Sequence, residues 1–577
     1  MEMTLVSIAG VTSIVAVAAF SKRLGLAAPL SLVVVGLALS FVPGVPALAI
    51  DPEWVLAGVL PPLLYSAAVN MPAADFRRNV KAISGLAVLL VAVTTLGAGW
   101  LFHWLMPGLG WPAAFALGAV VSPTDAVAAT SMGKQLGLPS RLLTMLEGEG
   151  LVNDASALVL LRSAIAAMAG TVSLAGVAGN FLFSVAVATA VGLVVGLVNV
   201  RVRALLKDSL LNTAISFVVP FVAFLPAEEF RASGVLAVVV AGLVTGHQSP
   251  RFLSAQDRLT EAMNWRTLAF LLESAIFLLM GLGLKSLLDE VQTEGLSAPR
   301  ALLIGLAAAA LVIIARMVFV APLIASVRKD AQRAAEKKPR LDWLMDKLGA
   351  PEAEWQGIPG RPRRALSPRR KQQMRERVTR ASADVDFKVN ESLGWRSGVA
   401  LAWAGMRGAI TVAAAQTLPA DTPYRPQLLL IAFVVATTTL LLQGLTLPSV
   451  IRAVKIPGDD PARLRDEYQR LLAEIATAGR GVLEEPDLVR NDGSPYAQAV
   501  VTKVREDARL DAAGTAPVRQ DEREQYVDLR LGVIAAARDA VLAARSTGVY
   551  SSQAINQAQN ALDLDEARLQ RLGGSGH

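Results

Sequence analysis

The sequence predicts an all-α polytopic membrane protein, and three observations support this prediction. The chain of 577 residues is 53% hydrophobic and only 18% charged, so its apolar side chains exceed what one soluble core can bury. Its mean hydropathy is positive, at +0.46. Apolar runs of about 20 residues, the length that crosses a bilayer as a helix, recur along most of the chain.

Thirteen of these apolar runs are predicted membrane spans on the length criterion. The eighth and ninth are separated only by the short polar sequence LPAEEFRAS. The predicted spans are 3–20, 28–46, 54–70, 82–106, 112–133, 149–168, 174–200, 210–227, 232–246, 266–286, 300–326, 397–418 and 427–451.

The Lys and Arg residues of the short loops indicate the orientation. Loops on one side carry the basic sequences SKRLG, FRRNVK, KQLGLPSR and RVRALLK, and the loop 247–266 lies on that side too. Loops on the other side, such as VPGVPALAIDPE and PGLG, contain almost no Lys or Arg. Cytoplasmic loops are the basic ones. Thirteen spans then predict an N-terminus outside and a C-terminus inside.

Two domains follow from this topology: a transmembrane domain over 1–452 and a cytoplasmic helical tail over 453–577. The transmembrane domain includes a basic cytoplasmic loop, 328–396, which has 18 Lys and Arg residues against 10 Asp and Glu, a net charge of +8. This loop is interpreted either as a solvated segment near anionic headgroups or as a specific regulatory or lipid-binding site. Helical periodicity recurs in the tail sequences PARLRDEYQRLLAEIATA and EREQYVDLRLGVIAAARDAVLAAR.

Composition and motifs exclude several other classes of site. Because the chain has no cysteine, disulfides and thiolate metal sites are excluded. The tail has no Gly-rich phosphate loop after a strand, so nucleotide sensing is disfavoured, and no cofactor is expected. The basic pI, about 9.6, is explained by cytoplasmic loops, so no nucleic-acid partner is predicted.

The sequence EGEGLVNDASALVLL, residues 147–161, places acidic residues in an apolar segment. An ionisable residue inside a span costs about 3 kcal/mol, which makes each one a functional candidate. On a helix, Glu149 and Asn153 lie about 40° apart, whereas Glu149 and Asp154 lie about 140° apart. The two carboxylates therefore face different neighbours, which favours one paired acid and one acid open to a cavity.

The fifth span contains a helix-breaking proline next to polar residues. Pro123 lacks a backbone donor and is followed at once by Thr124 and Asp125. Non-helical backbone at membrane depth is tolerated only when it is buried in protein or beside a wet cavity. This pattern favours a functional break, although a structural kink is the alternative.

The twelfth span contains a second predicted break. Gly405 and Gly408 flank Arg407 and weaken the helix around a buried cation. Interrupted segments in corresponding positions of two halves are typical of transporters built from inverted repeats. Arg407 needs an anionic partner inside the bilayer, and Glu149 is the expected one.

Two secondary candidate sites lie in the tenth and eleventh spans. The tenth carries Glu273 and Ser274, and the eleventh carries Arg316. Glu273 and Arg316 are expected either to form a structural pair between consecutive spans or to leave Glu273 at the ion entrance.

Five sequence motifs together resemble a known family. LPPLLYSAA (59–67), SPTDAVA (122–128), LEGEGLVNDASALVL (146–160), LLESAIFLLMGL (271–282) and AGMRGAI (404–410) are similar to the monovalent cation:proton antiporter family. The resemblance is to its branch of sodium/proton exchangers that carry an Asn-Asp pair, and it covers residues 5–452.

The resemblance implies a homodimer in which a core domain moves against a dimerisation domain and carries the ion. It assigns the proton and the cation to Asp154. Thr124 and Asp125 would complete a Na⁺ site, and Asn153 would hold the broken helices. Glu149 and Arg407 would form the ion pair of the core.

One residue departs from the family pattern. Members often have Ser after the first acid of the motif, where this chain has Gly150. If that hydroxyl binds the ion in relatives, water or a backbone carbonyl must replace it here.

The expected function is antiport, not enzyme catalysis. The protein would exchange cytoplasmic Na⁺, or Li⁺ or K⁺, for H⁺ across the plasma membrane, 1:1 and electroneutrally, for pH and cation homeostasis. Its partners would be these ions, the lipid bilayer and a second copy of the chain. A K⁺/H⁺ antiporter of the same fold is the alternative.

Two other functional classes are disfavoured. An intramembrane aspartyl protease would need Tyr-Asp and Gly-x-Gly-Asp settings, and neither occurs. A cation channel would need a filter-like run such as TVGYG, which is also absent.

Overall fold

A computed structural model of the chain shows helices separated by short connections. It describes residues 2–24, 27–43, 51–170, 173–206, 208–349, 368–485, 488–490, 493–507 and 520–573. Apart from an isolated antiparallel bridge between Val489 and Pro495, these described residues contain no β-structure. The all-α prediction is confirmed for this part of the chain. The end of the second predicted span and residues 350–367 of the basic loop lie outside it.

The first half of the chain is helical over most of its length. Two π-helical segments, Trp54–Val59 and Gly85–Leu90, lie directly before α3 and α5. In chain order the helices are α1 (Glu2–Leu24), α2 (Ala28–Ser40), α3 (Leu60–Asn70), α4 (Ala73–Ser84), α5 (Val91–Leu105), α6 (Trp111–Val120), α7 (Val127–Gln135), α8 (Ser140–Ala169), α9 (Leu174–Leu205), α10 (Ser209–Glu229) and α11 (Gly234–Phe252).

The second half includes the longest helix and the helices of the tail. In chain order these are α12 (Ala255–Leu282), α13 (Leu284–Thr293), α14 (Ala298–Gly349), α15 (Pro368–Asn390), α16 (Trp395–Trp403), α17 (Ala409–Gln416), α18 (Arg425–Val454), α19 (Pro461–Leu483), α20 (Gln498–Asp507), α21 (Gln520–Thr547) and α22 (Ser552–Gly573).

Length and composition identify membrane-spanning candidates among the described residues. Seven helical stretches are long and apolar enough to cross a membrane, and four further apolar helices are shorter. The count of thirteen spans and the orientation of the termini stay predictions. The seven stretches are Ala73–Leu105, Ser140–Ala169, Ala175–Leu205, Ser209–Glu229, Ala255–Thr293, Ala298–Asp346 and Arg425–Val454.

The chain divides into two compact units. The first comprises 1–249, 261–328 and 393–458, and the second comprises 250–260, 329–392 and 459–577. The first therefore holds every apolar span candidate in whole or in large part.

Helix α18 lies at the centre of the first unit. Every residue from Pro426 to Ala436 is buried, as expected for a helix surrounded by other helices. Glycines allow neighbouring helices to approach closely. A Cβ atom on Gly36 of α2 would lie 2.9 Å from the Cα atom of Gly281 in α12. These two helices therefore pack backbone to backbone.

The second unit has an apolar core of its own. Leu471 and Ile475 of α19 pack with Ile534 and Val541 of α21 and with Leu562 of α22. Helices α19 and α21 occupy the two tail stretches whose periodicity predicts helices.

The described parts of the predicted basic loop are also helical. Helix α14 continues without interruption from its apolar part to Gly349, and α15 follows the undescribed residues. Lys338 of α14 pairs with Asp386 of α15 at 2.6 Å, and this exposed hydrogen-bonded pair raises the pKa of Lys338.

Candidate functional site

Two interrupted helices meet in the first unit. The first break, residues 121–126, separates α6 from α7, and the second break, residues 404–408, separates α16 from α17. The backbone N–H of Asp125 in the first break donates to the carbonyl of Met406 in the second, at 2.7 Å. The structure confirms the predicted interruptions of the fifth and twelfth spans and joins them by this main-chain hydrogen bond.

Arg407 binds the free carbonyl groups of the two breaks. Its side chain, in a residue that is 1% exposed, donates to the carbonyl oxygens of Val121 at 3.2 Å and Ser122 at 3.3 Å. A third donor reaches the carbonyl of Gly405. Carbonyls at a helix end have no intrahelical partner, so a buried guanidinium stabilises both breaks at once.

The structure corrects the predicted partner of Glu149. Arg316, not Arg407, forms the ion pair, with Arg316 Nη2 donating to Glu149 Oε2 at 2.8 Å and Nη1 donating to Oε1. Arg316 also donates to the carbonyl of Leu401 at 3.1 Å. Both charged side chains are buried, 0% and 2% exposed. Of the two alternatives for Glu273, a structural pair with Arg316 is therefore wrong, since Arg316 binds Glu149 and Leu401. A place for Glu273 at the ion entrance stays a prediction.

Thr124 and Asn153 extend this ion pair into a chain of hydrogen bonds. The Thr124 hydroxyl donates to Glu149 Oε1 at 2.7 Å. The Asn153 amide donates to the Thr124 carbonyl at 2.8 Å and to its hydroxyl oxygen at 2.9 Å. A hydroxyl has one donor and two lone pairs. These contacts leave the Thr124 hydroxyl one lone pair for another ligand.

Asp154 lies on α8 beside this network but outside it. Asp154 is 7% exposed, and within the described part of the chain no hydrogen-bond donor or ion-pair partner is recorded for its carboxylate. The carboxylates of Asp125 and Asp154 lie close enough to interact electrostatically. Glu149 is thus paired and Asp154 is not, in agreement with the helical angle between them.

Asp125 is held at the start of α7. One carboxylate oxygen accepts the backbone N–H of Val127 at 2.8 Å, and the other faces Gly408. A Cβ atom on Gly408 would lie 2.3 Å from that oxygen. Any side chain at position 408 would therefore collide with the carboxylate.

The remaining predicted residues lie near this site. Ser274 is buried in α12. Glu273 is half-buried, and the charge of Asp125 acts on it. At the position where relatives often carry Ser, a Cβ atom on Gly150 would lie 2.9 Å from the Cβ atom of Ala126. Glycine therefore allows α8 to contact the first break directly.

Sequence reasoning missed a buried ion pair between two other helices. Arg203 of α9 donates to Glu261 of α12 at 3.0 and 2.7 Å, and Arg203 is fully buried. The sequence places both residues in basic loops, but α9 and α12 extend beyond the apolar runs and include them. In the sequence, the only indication of this pair is that each residue is charged and lies within one or two helical turns of a predicted span.

A family model matches most of the chain. The transmembrane domain described as sodium/hydrogen exchanger matches residues 10–350 and 370–453. The chain belongs to this family. It is therefore a multi-pass membrane protein of the monovalent cation:proton antiporters, which are transporters and not enzymes.

Two curated relatives are similar to this chain over most of their length, and a third is similar over about a third of its length. An uncharacterized Na⁺/H⁺ exchanger of Mycobacterium tuberculosis (strain H37Rv) is 29% identical over 580 residues, covering 98% of this chain and 96% of the relative. The low-affinity Na⁺/H⁺ antiporter NhaS1 of Synechocystis is 29% identical and covers 79% of this chain and 74% of its own. A sodium, potassium, lithium and rubidium/H⁺ antiporter of Bacillus subtilis is 35% identical, over 38% of this chain and 34% of its own.

A solved structure shares the fold of the exchanger. The sodium proton antiporter MjNhaP1 from Methanocaldococcus jannaschii at pH 8 matches with a TM-score of 0.50 and 17% sequence identity. The match covers 78% of this chain and 100% of the archaeal chain. At this identity the likeness shows the fold alone.

Proposed function

We propose that this chain is a secondary active antiporter that exchanges cytoplasmic Na⁺ for H⁺ across the plasma membrane. The exchange is 1:1 and electroneutral and serves pH and cation homeostasis. One observation carries the proposal: Asp154 is a nearly buried carboxylate without a hydrogen-bond or ion-pair partner in the described part of the chain, beside two broken helices. A buried ionisable group that has no structural partner is a functional candidate.

Asp154 binds the cation and the proton in turn. Na⁺ is a hard cation that needs several oxygen ligands, as carboxylate, hydroxyl and carbonyl groups supply. Asp125 contributes a second carboxylate, and the Thr124 hydroxyl has one lone pair left. Because a single carboxylate cannot hold both ligands, competition between them couples the two fluxes.

The other residues of the network position these ligands. Asn153 holds Thr124, and the Glu149–Arg316 pair gives Thr124 a charged acceptor that fixes its hydroxyl. Arg407 holds the two breaks against each other through their carbonyl groups. In this proposal these residues hold the site together and carry neither the cation nor the proton.

The topology and assembly belong to the same proposal. The membrane part has thirteen spans, with the N-terminus outside and the C-terminus in the cytoplasm, as the basic loops indicate. Two copies of the chain form a homodimer.

The choice of cation is the first test. K⁺ is the second candidate, because the Bacillus subtilis relative, 35% identical over its matched part, is a sodium, potassium, lithium and rubidium/H⁺ antiporter. In everted vesicles from a host without its own exchangers, added Na⁺ should dissipate an imposed proton gradient more strongly than equal K⁺. Li⁺ is added in the same way as the third cation compared. A response to K⁺ that exceeds the response to Na⁺ would make the protein a K⁺/H⁺ antiporter, and no response to any cation would contradict antiport.

The stoichiometry is a second prediction. Asn153 cannot titrate and Glu149 is paired, so Asp154 trades one proton for one cation and no net charge crosses. Moving one net charge would couple exchange to voltage by about 2.3 kcal/mol per 100 mV, a roughly fiftyfold bias. In proteoliposomes with K⁺ and valinomycin setting the potential, the sodium ratio that nulls proton flux should follow the proton gradient alone. A null point that moves with voltage would mean that a second carboxylate, Asp125 first, also carries protons.

A further inference from the structure

A buried glutamine on α18 has no hydrogen-bond partner in the part of the chain that the structure describes. Gln443 is 0% exposed, and neither its side-chain nitrogen nor its side-chain oxygen takes part in a hydrogen bond among those residues. Buried polar groups that make no hydrogen bond destabilise a folded protein and are rare in native structures. Gln443 therefore indicates a site for a small polar molecule.

Gln443 lies between two contacts that α18 makes around the second break. Thr439, about one turn before it, accepts the backbone N–H of Arg407 at 3.2 Å. Thr446, about one turn after it, accepts the indole N–H of Trp403, the last residue of α16, at 2.9 Å. Residues three and four positions apart share a face of a helix. Gln443 therefore lies on the face of α18 that contacts the second break.

The two ends of the amide determine what can bind there. The nitrogen of Gln443 needs an acceptor and the oxygen needs a donor, so the ligand must have both a lone pair and a proton. A metal cation has no lone pair to offer, and chloride has no proton. A water molecule has both and can bind the two ends of one amide at once. The site therefore fits water better than the transported cation.

The hydroxyl of Thr439 supplies a third partner for this water. Thr439 donates to the carbonyl of Val435 at 2.8 Å and accepts from Arg407 at 3.2 Å, which leaves one of the two lone pairs of its hydroxyl. Its Cβ atom and that of Gln443 are expected about 5–6 Å apart on the helix surface, a separation that one water can bridge. Buried waters typically make about three hydrogen bonds, and these two side chains offer that number.

A single peptide group connects this position to the candidate ion site. The N–H of Arg407 and the carbonyl of Met406 belong to the same planar peptide unit. Thr439 accepts the N–H, and the carbonyl accepts the backbone N–H of Asp125 at 2.7 Å. The peptide that joins the two breaks is therefore held by Thr439, and whatever fixes the hydroxyl of Thr439 also fixes that peptide.

We propose that Gln443 and Thr439 bind a buried water molecule that joins α18 to the second break. The water accepts from Nε2 of Gln443 and donates to Oε1 of Gln443 and to the hydroxyl of Thr439. By fixing that hydroxyl, the water makes Gln443 a positioning residue for cation exchange. This positioning role rests on the proposed function, whereas the water site does not.

The sign of a stability change distinguishes a bound water from an amide that is simply unpaired. Gln443→Met removes both ends of the amide with little change in side-chain length. If water is bound, its hydrogen bonds are lost and the thermal unfolding temperature in detergent should fall. If the amide is unpaired, an apolar side chain removes the unmade hydrogen bonds and the temperature should rise.

Gln427→Met is the matched control. Gln427 is also buried on α18, but it donates directly to the carbonyl of Ser297 at 3.1 Å. This variant should lower the unfolding temperature and so calibrates the loss of one direct hydrogen bond. A cryo-electron microscopy map of wild-type protein that shows ordered water should contain density within hydrogen-bond distance of both Gln443 and Thr439.

The positioning role has its own measurement. In proteoliposomes of full-length protein, Gln443→Met should raise the KM for Na⁺ about threefold or more, with kcat changed less. Gln427→Met should leave the KM unchanged, because sixteen residues of helix, about 24 Å, separate the two positions.

A higher unfolding temperature in Gln443→Met, or a map with ordered water elsewhere and none at Gln443, would overturn the water site. An unchanged KM in Gln443→Met, or an equal shift in Gln427→Met, would overturn the positioning role. Wild-type protein that exchanges no cation would instead reject the proposed function, and the stability and the map would still decide the water site. If K⁺ proves to be the cation, the KM comparison is made with K⁺.

Discussion

Asp154→Asn abolishes cation-dependent proton movement and leaves the protein folded. The amide fits the space of the carboxylate, and no described hydrogen bond or ion pair is lost, because Asp154 has none. A neutral amide carries no proton and supplies no charge to a cation, so neither half of the exchange proceeds. In proteoliposomes the flux should fall to that of protein-free vesicles, with size-exclusion profile and thermal unfolding unchanged.

Glu147→Gln is the matched control for this variant. Glu147 lies on the same helix, α8, and pairs with Lys134 at 2.8 Å while 31% of its side chain is exposed. A partly exposed pair of this kind contributes little to stability, and exchange should continue. Persistent cation-dependent proton flux in purified Asp154→Asn would remove Asp154 from the mechanism.

Arg316→Ala should destabilise the protein strongly. It leaves Glu149 ionised and unpaired in a low-dielectric interior, at a cost of about 3–5 kcal/mol. It also removes the donors to the Leu401 carbonyl at the end of α16. The expected result is a large drop in the thermal unfolding temperature in detergent. The effect on cation affinity should be smaller than this effect on stability.

A double-mutant cycle identifies the partner of Glu149. Glu149→Gln with Arg316→Ala should be more stable than the sum of the single effects predicts, since the uncompensated charge is gone. Arg407→Ala with Glu149→Gln should be closer to additive, because Arg407 binds carbonyl groups. Additive behaviour for the Arg316 cycle would show that the pair does not contribute as an ion pair.

Much of the architecture was predictable from the sequence because it depends on local chemistry. Apolar runs of span length predict helices, and Pro123 together with the Gly405 and Gly408 pair predicts where two of them break. Helical geometry alone separates Asp154 from Glu149. The structure confirms the helices and both breaks, and it places the two carboxylates among different neighbours. The number of spans and the roles of the site residues stay predictions.

Only the tertiary structure decided which charged groups meet. Arg316 and Arg407 both lie inside predicted apolar spans, and from the sequence either one could neutralise Glu149. Arg316 and Glu149 are 167 residues apart in the chain. Hydrophobic periodicity is a local pattern and does not predict a contact across such a sequence separation. Packing places Arg316 of α14 on Glu149 and leaves Arg407 to the carbonyls that the breaks expose. The same holds for Arg203 and Glu261, 58 residues apart, whose contact exists because folded helices, and not neighbouring positions in the chain, bring the two charges together.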